Sequence, residues 1–376
     1  MDDADRPAAR LATRLAFLIA GFGIACWAPL VPFAKQRLGV DDGALGLLLL
    51  CIGMGSVAAM IATGPLSARY GSRPVIVAAG LAMAAILPLL SVAATPVTLG
   101  TALLLFGAAL GSLDVAMNVH AVEVERAAGQ PLMSGFHALF SIGGFAGSTV
   151  MTFLLSLGVA ARAGTLACGV AMAAAMLIAW PRLLRATAVQ DGPVFVRPRG
   201  IVLLLAALAA ITFLVEGAIL DWSALLIEGR GLVARAQGGT GYILFAVAMT
   251  AGRLVGDRLT ARIGDRATLI GGGAVTVAGF ATLLAAPIAG VALAGFLLIG
   301  LGASNIVPVL FRRAGTQTAM PPALAIGAIT TMGYAGILVG PAAIGVVAQG
   351  VGLPTAFWLL ALLMCVVPLT ATQATR

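Results

Sequence analysis

The sequence predicts an all-α membrane protein with twelve transmembrane helices in two pseudo-symmetric six-helix bundles. Three observations predict it. The composition is too apolar for a water-covered surface, the chain divides into twelve runs long enough to cross a bilayer, and short motifs of the first half return in order in the second.

Composition sets the solvent. Of 376 residues, 61% are hydrophobic and only 10% charged, and mean hydropathy is +1.08. Soluble domains carry about 25% charged residues, so lipid must cover most of this surface. The net charge of +8 and pI near 10.3 would suit a nucleic-acid partner. The arginines, however, lie scattered in gaps between apolar runs, not gathered on a polar domain, and this argues against nucleic acid.

Cutting at charges, prolines and Gly-rich turns gives runs at 12–34, 44–67, 74–93, 97–122, 131–157, 162–180, 200–227, 240–260, 267–286, 289–311, 322–348 and 353–372. Each is about the twenty residues that a spanning helix needs. Helices are required because backbone groups in hydrocarbon must be bonded within the segment, and the runs lack barrel alternation. The longest polar gap, "PRLLRATAVQDGPVFVRPRG" from Pro181 to Gly200, separates the sixth and seventh runs. The expected organisation is an N-terminal bundle over 1–180, a cytoplasmic linker over 181–199 and a C-terminal bundle over 200–376. With the N-terminus inside, only Lys35, Arg37, Arg162, Arg230 and Arg235 fall outside, so both termini are expected in the cytoplasm.

The halves repeat. "IACWAPL" aligns with "ILDWSAL", pairing Trp27 with Trp222 at an offset of 195. "GPLSARYGSRP" from Gly64 aligns with "DRLTARIGDRA" from Asp257 at 193, "GSLDVAM" from Gly111 with "GASNIVP" from Gly302 at 191, and "GGFAG" from Gly143 with "MGYAG" from Met332 at 189. Offsets that drift by two per step are what small loop-length differences produce in a duplicated unit.

The chain resembles the major facilitator superfamily over essentially its full length. That family's loop between its second and third helices reads Gly, three residues, an acid, a basic residue, any residue, Gly, then basic residues. Gly64, Arg69, Gly71 and Arg73 match, with Ala68 at the acidic position; Arg262, Gly264 and Arg266 match in the second copy, with Ala261 at the acidic position and Asp257 in place of the first Gly. "LDVAMNVHAVEVE" and "PLMSGFHALFSIGG" are similar to the fucose-proton symporter-like group. The resemblance implies a bacterial inner-membrane transporter, monomeric and without a cofactor, whose halves rock by alternating access. The acid of the loop latches the halves in that family. Its absence leaves Arg253 and Asp257, four apart on one helix face, as a candidate substitute pair at the cytoplasmic gate. The loop also has a purely structural reading: glycines permit a tight turn and arginines snorkel to headgroups.

An energy source is narrowed by what is missing. The single lysine, Lys35, belongs to no phosphate-binding loop. Cys26, Cys51, Cys168 and Cys365 are far apart along the chain and support neither a zinc site nor a disulfide framework. No catalytic motif is present, so an enzyme is not expected.

Charged residues inside spans are costly and informative. The fourth run carries Asp114 and Asn118 on one face, followed by His120; the seventh carries Glu216 and Asp221; His137 opens the fifth; and Asn305 repeats Asp114. A carboxylate in a low-dielectric cavity titrates nearer neutrality, as a proton carrier must. Asp114 and Glu216 are the first candidates for proton and substrate handling, against the alternative of buried polar groups bonded to a neighbouring helix. Asp221 reads equally as a cap near the outer surface, Asn118 and Asn305 as glue between helices, and His120 and His137 as rim residues. Trp27 and Trp222 lie on helices that line the cavity in the family; they read as stacking platforms or interfacial anchors. Gly143 with Gly147 and Gly336 with Gly340 permit close helix approach.

With scarcely any Arg or Lys expected at mid-membrane depth, an anionic substrate is disfavoured. The expected function is therefore proton-coupled secondary transport of a small neutral or cationic solute. The alternatives are an efflux antiporter for drugs or metabolites and a non-transporting receptor or scaffold of the same fold.

Overall fold

The computed structural model describes residues 6–40, 42–185, 197–233 and 240–375. Much of the expected linker, residues 186–196, and Arg235 lie outside the described residues. Every regular element among those described is helical: α1 (Arg6–Trp27), α2 (Val31–Leu38), α3 (Asp42–Tyr70), α4 (Ser72–Val92), α5 (Pro96–Ala128), α6 (Met133–Ser156), α7 (Ala161–Ala179), α8 (Ile201–Gly229), α9 (Thr240–Ala285), α10 (Ala289–Ala303), α11 (Ile306–Thr316), α12 (Pro322–Val351), α13 (Leu353–Met364) and α14 (Val366–Ala374).

Among the described residues eleven continuous stretches are long and apolar enough to cross a membrane. One of them, α9, has 46 residues, or about 69 Å at 1.5 Å per residue, twice a bilayer core. It is two helices. Gly264 breaks it with φ 82° and ψ 164°, a conformation that only glycine adopts readily. Its repeat partner Gly71, between α3 and α4, has φ 80° and ψ 162°. The repeated loop thus turns on the same backbone geometry twice, and with α9 divided the described residues hold twelve spans, as the sequence predicts.

Prolines explain the other breaks. Pro29 sits in the turn Ala28–Leu30 between α1 and α2. The tenth span is interrupted at Ser304 and Asn305, where Pro308 cannot donate to the fourth residue before it.

The chain forms two compact units: Met1–Gly129, Leu139–Arg197 and Pro321–Gly327 in the first, and Gln130–Ala138, Pro198–Met320 and Ala328–Arg376 in the second. Gln130–Ala138, at the start of α6, thus group with the second unit, and Pro321–Gly327, at the start of α12, with the first.

Within the first unit α5 is the spine. Thr95 caps it, its hydroxyl accepting from the Thr98 amide while the Thr98 hydroxyl accepts from the Thr95 amide, and Pro96 fits the first turn. The Ser56 hydroxyl on α3 donates to the Gly107 carbonyl of α5 at 2.8 Å. Gly143 and Gly147 on α6 lie against the backbone of α1 at Leu18 and Phe22, with no room for a Cβ. Cys26 and Cys168 are buried free thiols, and the Cys26 thiol donates to the Gly147 carbonyl of α6 at 3.5 Å. In the second unit the same arrangement returns: Gly336 on α12 lies against the Ala210 backbone of α8, and Gly340 against Leu214.

One end of each unit is held by an arginine. Arg37, in the last turn of α2, donates to the carbonyls of Leu90 (2.9 Å), Ser91 (2.5 Å) and Ala93 (3.0 Å) at the end of α4. Arg230, at the end of α8, donates to those of Leu283 (2.6 Å) and Ala286 (2.8 Å) at the end of α9. The last carbonyls of a helix lack intrahelical partners and carry its negative dipole end, so a guanidinium suits both. Arg37 and Arg230, Leu90 and Leu283, and Ala93 and Ala286 are each separated by 193 positions, the offset of the basic loops. The sequence reading had counted both arginines only as outside charges.

Candidate functional site

The second unit gathers the larger set of candidate residues. Pro308 leaves the Ser304 carbonyl without its helical donor, and Arg253 Nε takes it at 3.4 Å. Asn305 donates from Nδ2 to the Gly252 carbonyl (3.1 Å) and to the Ser304 hydroxyl (2.9 Å). These contacts need glycine on α9: a Cβ at Gly252 would meet the Ser304 hydroxyl, and one at Gly256 the Asn305 amide. The Asn305 Oδ1 is buried without a hydrogen-bond partner among the described residues.

Beside this break lies an ion pair. Arg253 Nη2 is 3.7 Å from Glu216 Oε1, with side chains 8% and 19% exposed. Glu216 is midway along α8, and Arg253 midway between the start of α9 and its break at Gly264. The sequence reading put Arg253 on the eighth run as a partner for Asp257 at the cytoplasmic gate and expected scarcely any cation at mid-membrane depth; the structure sets it beside Glu216. Asp221 is exposed and Trp222 half-buried, its ring against Gly345.

Asp257 lies against the start of α6. Its carboxylate accepts from the backbone amides of Ser134 (2.9 Å) and Gly135 (2.8 Å), the first amides of α6, where a negative charge meets the positive end of the helix. Next to it, the His137 ring lies 5.7 Å from that of Phe311. At the position equivalent to Asp257, Gly64 in the first unit lies against the start of α12 at Ala323 and Gly327. The two loop copies therefore each face the first turn of a helix, one through a bare backbone and one through a carboxylate. Of the remaining loop arginines, Arg69 lies 5.4 Å from the Tyr70 ring centroid, Arg73 is half-buried, and Arg262 and Arg266 are exposed.

The first unit holds Asp114 and Asn118 together on α5. Asn118 Nδ2 donates to the Asp114 carbonyl at 2.9 Å, with Asp114 Oδ1 at 3.5 Å; the Asn118 Oδ1 is buried without a partner among the described residues. Asp114 is 8% exposed. Trp27 is buried, and its indole N–H has no partner there either. His120 has a structural explanation: Nε2 accepts from the Leu184 amide at 3.0 Å, which leaves Nδ1 to donate to the Thr13 hydroxyl at 3.0 Å. It clasps α1, α5 and the segment after α7.

Residues 14–320 match the family model of the Major Facilitator Superfamily. The chain is 49% identical to an uncharacterised MFS-type transporter of Yersinia pestis, over 98% of this chain and 96% of that protein. It is 34% identical to the membrane protein MosC of Rhizobium meliloti, over 90% and 83% of the two chains. The crystal structure of the MFS transporter FucP in its outward conformation superposes with a TM-score of 0.79 at 16% identity, covering 98% of this chain and 99% of that one.

Proposed function

The chain belongs to the major facilitator superfamily of membrane transporters, and we propose that it is a proton-coupled secondary transporter of a small neutral or cationic solute. Alternating access moves the solute, with Glu216 and Asp114 as the carboxylates that handle protons and substrate. The reading places the protein in the bacterial inner membrane with both termini cytoplasmic, as the distribution of arginine favours. It assigns no enzymatic activity; the relatives that match over most of their length include one named as a transporter.

The observation that carries the reading is the ion pair of Glu216 and Arg253. Taking two charges out of water costs several kcal/mol per ion, and well-packed apolar residues would hold the helices at least as firmly. Charged groups kept at such depth mark ion and substrate pathways. Protonating Glu216 releases Arg253 from its partner, so proton binding changes what the site presents to a solute. Since the pair is neutral together, a mid-depth arginine does not turn the site toward anions.

Uptake into proteoliposomes across a panel of sugars, amines and other small solutes, with and without an imposed pH gradient, tests the proposal. Solute-dependent proton flux that Glu216→Gln abolishes is the expected result. Replacing both partners, Glu216→Leu with Arg253→Met, removes the charges without leaving one unpaired and is expected to keep the fold while losing coupled flux. Absence of flux for every solute would favour a receptor or scaffold, and unchanged coupling in the double variant would remove the pair from the mechanism.

A further inference from the structure

The break at Gly264 also opens a cavity of about 600 Å³ against the end of α14. Its walls include Arg266, Arg313, Thr372, Thr375, Asp265 and the flank of Ile263. The one carboxylate among these is already engaged: Asp265 Oδ1 accepts from Arg312 Nη1 at 2.6 Å, and Oδ2 lies 3.9 Å from Arg313 Nη1. Arg266 is exposed and has no acidic partner among the described residues. Positive charge therefore exceeds negative at this spot. Thr375 uses its hydroxyl proton on the Ala371 carbonyl at 2.8 Å, leaving Thr372 as the hydroxyl donor. The amides that follow Gly264 begin a helix and add its positive end.

The surroundings are apolar. Ile263 is 47% exposed on one wall, and Leu369, one turn before Thr372 on α14, is 76% exposed. A ligand that carries an anionic group next to hydrocarbon matches both features. Duplication alone does not explain the cavity. Arg73 repeats Arg266, but at the spacing that relates Asp114 to Asn305 the counterparts of Arg312 and Arg313 are Ala121 and Val122. The basic pair belongs to the second half only.

We propose that this cavity binds the phosphate group of an anionic phospholipid. Arg266 and Arg313 contact the phosphate, Thr372 adds a hydrogen bond, and the acyl chains lie along Ile263 and Leu369. The site is separate from the ion pair and does not depend on which solute is carried.

Native mass spectrometry of the full chain in detergent, titrated with phosphatidylglycerol or phosphatidylcholine, tests it. Phosphatidylglycerol is expected to bind more tightly, and Arg266→Glu or Arg313→Gln to weaken it about five-fold or more, as expected for one basic residue at a membrane surface. Arg266 is exposed, so its replacement leaves the fold intact. Arg258→Glu, on an exposed position of α9 before its break and outside the cavity, is expected to leave the affinity unchanged. Equal affinity for the two lipids, or equal weakening by Arg258→Glu and Arg266→Glu, would overturn the cavity assignment. Displacement of phosphatidylglycerol by inorganic phosphate at equal concentration would make the ligand a free phosphate and overturn the lipid.

Discussion

Arg253 bonds the Ser304 carbonyl at 3.4 Å, and it can do so because Pro308 lacks the amide that would otherwise claim that oxygen. A kink in one helix thus positions the arginine that pairs with Glu216 on another. Pro308→Ala restores the amide and sets it in competition with Arg253, with about 1 kcal/mol at stake for the hydrogen bond. We expect transport to fall several-fold while the melting temperature holds or rises. Initial rates in proteoliposomes, measured beside thermal unfolding in detergent, check this; unchanged transport would show that the kink does not serve the ion pair.

The arginines at 37 and 230 make a prediction about stability rather than transport. Each satisfies terminal carbonyls that nothing else in the helix can reach, and charge-assisted bonds of this kind contribute about 1.5–3 kcal/mol. Arg37→Ala and Arg230→Ala should each lower stability by that order. Because they act in different units, the double variant should lose close to the sum, within about 0.5 kcal/mol. Lysine at either place should restore only part, as it lacks the planar fork that spans two carbonyls. Denaturant unfolding in detergent measures all three.

Asp257 holds the first amides of α6 through both carboxylate oxygens. Asp257→Asn removes the charge and one acceptor, a loss of about 0.5–2 kcal/mol at a helix start. The local consequence is exposure of Ser134, which is fully buried. Alkylation of a Ser134→Cys reporter should be several-fold faster in the Asp257→Asn background. An unaltered rate would mean that the cap does not control access to this turn.

The sequence disclosed the spans, the duplication and the turn glycines because these are local: apolar length, ordered recurrence, and a backbone conformation that needs a missing Cβ. Asp257 was singled out as a replacement for the absent loop acid, though with Arg253 as its expected partner; its bonds to Ser134 and Gly135 cross more than 120 positions and follow from no periodicity. Arg253 was placed on the eighth run, 240–260, but its contact with Glu216, 37 positions away on another helix, follows only from packing. The staples of Arg37 and Arg230 could have been found, since they share the loop offset, but an arginine's carbonyl partners leave no mark on composition.

Those two staples carry a consequence for a cell that meets acid. Each joins a guanidinium to backbone carbonyl oxygens alone. Neither fastening includes a carboxylate or an imidazole that a falling pH would neutralise or charge. The helix ends they hold should therefore keep these bonds over acidities that protonate carboxylates elsewhere in the chain.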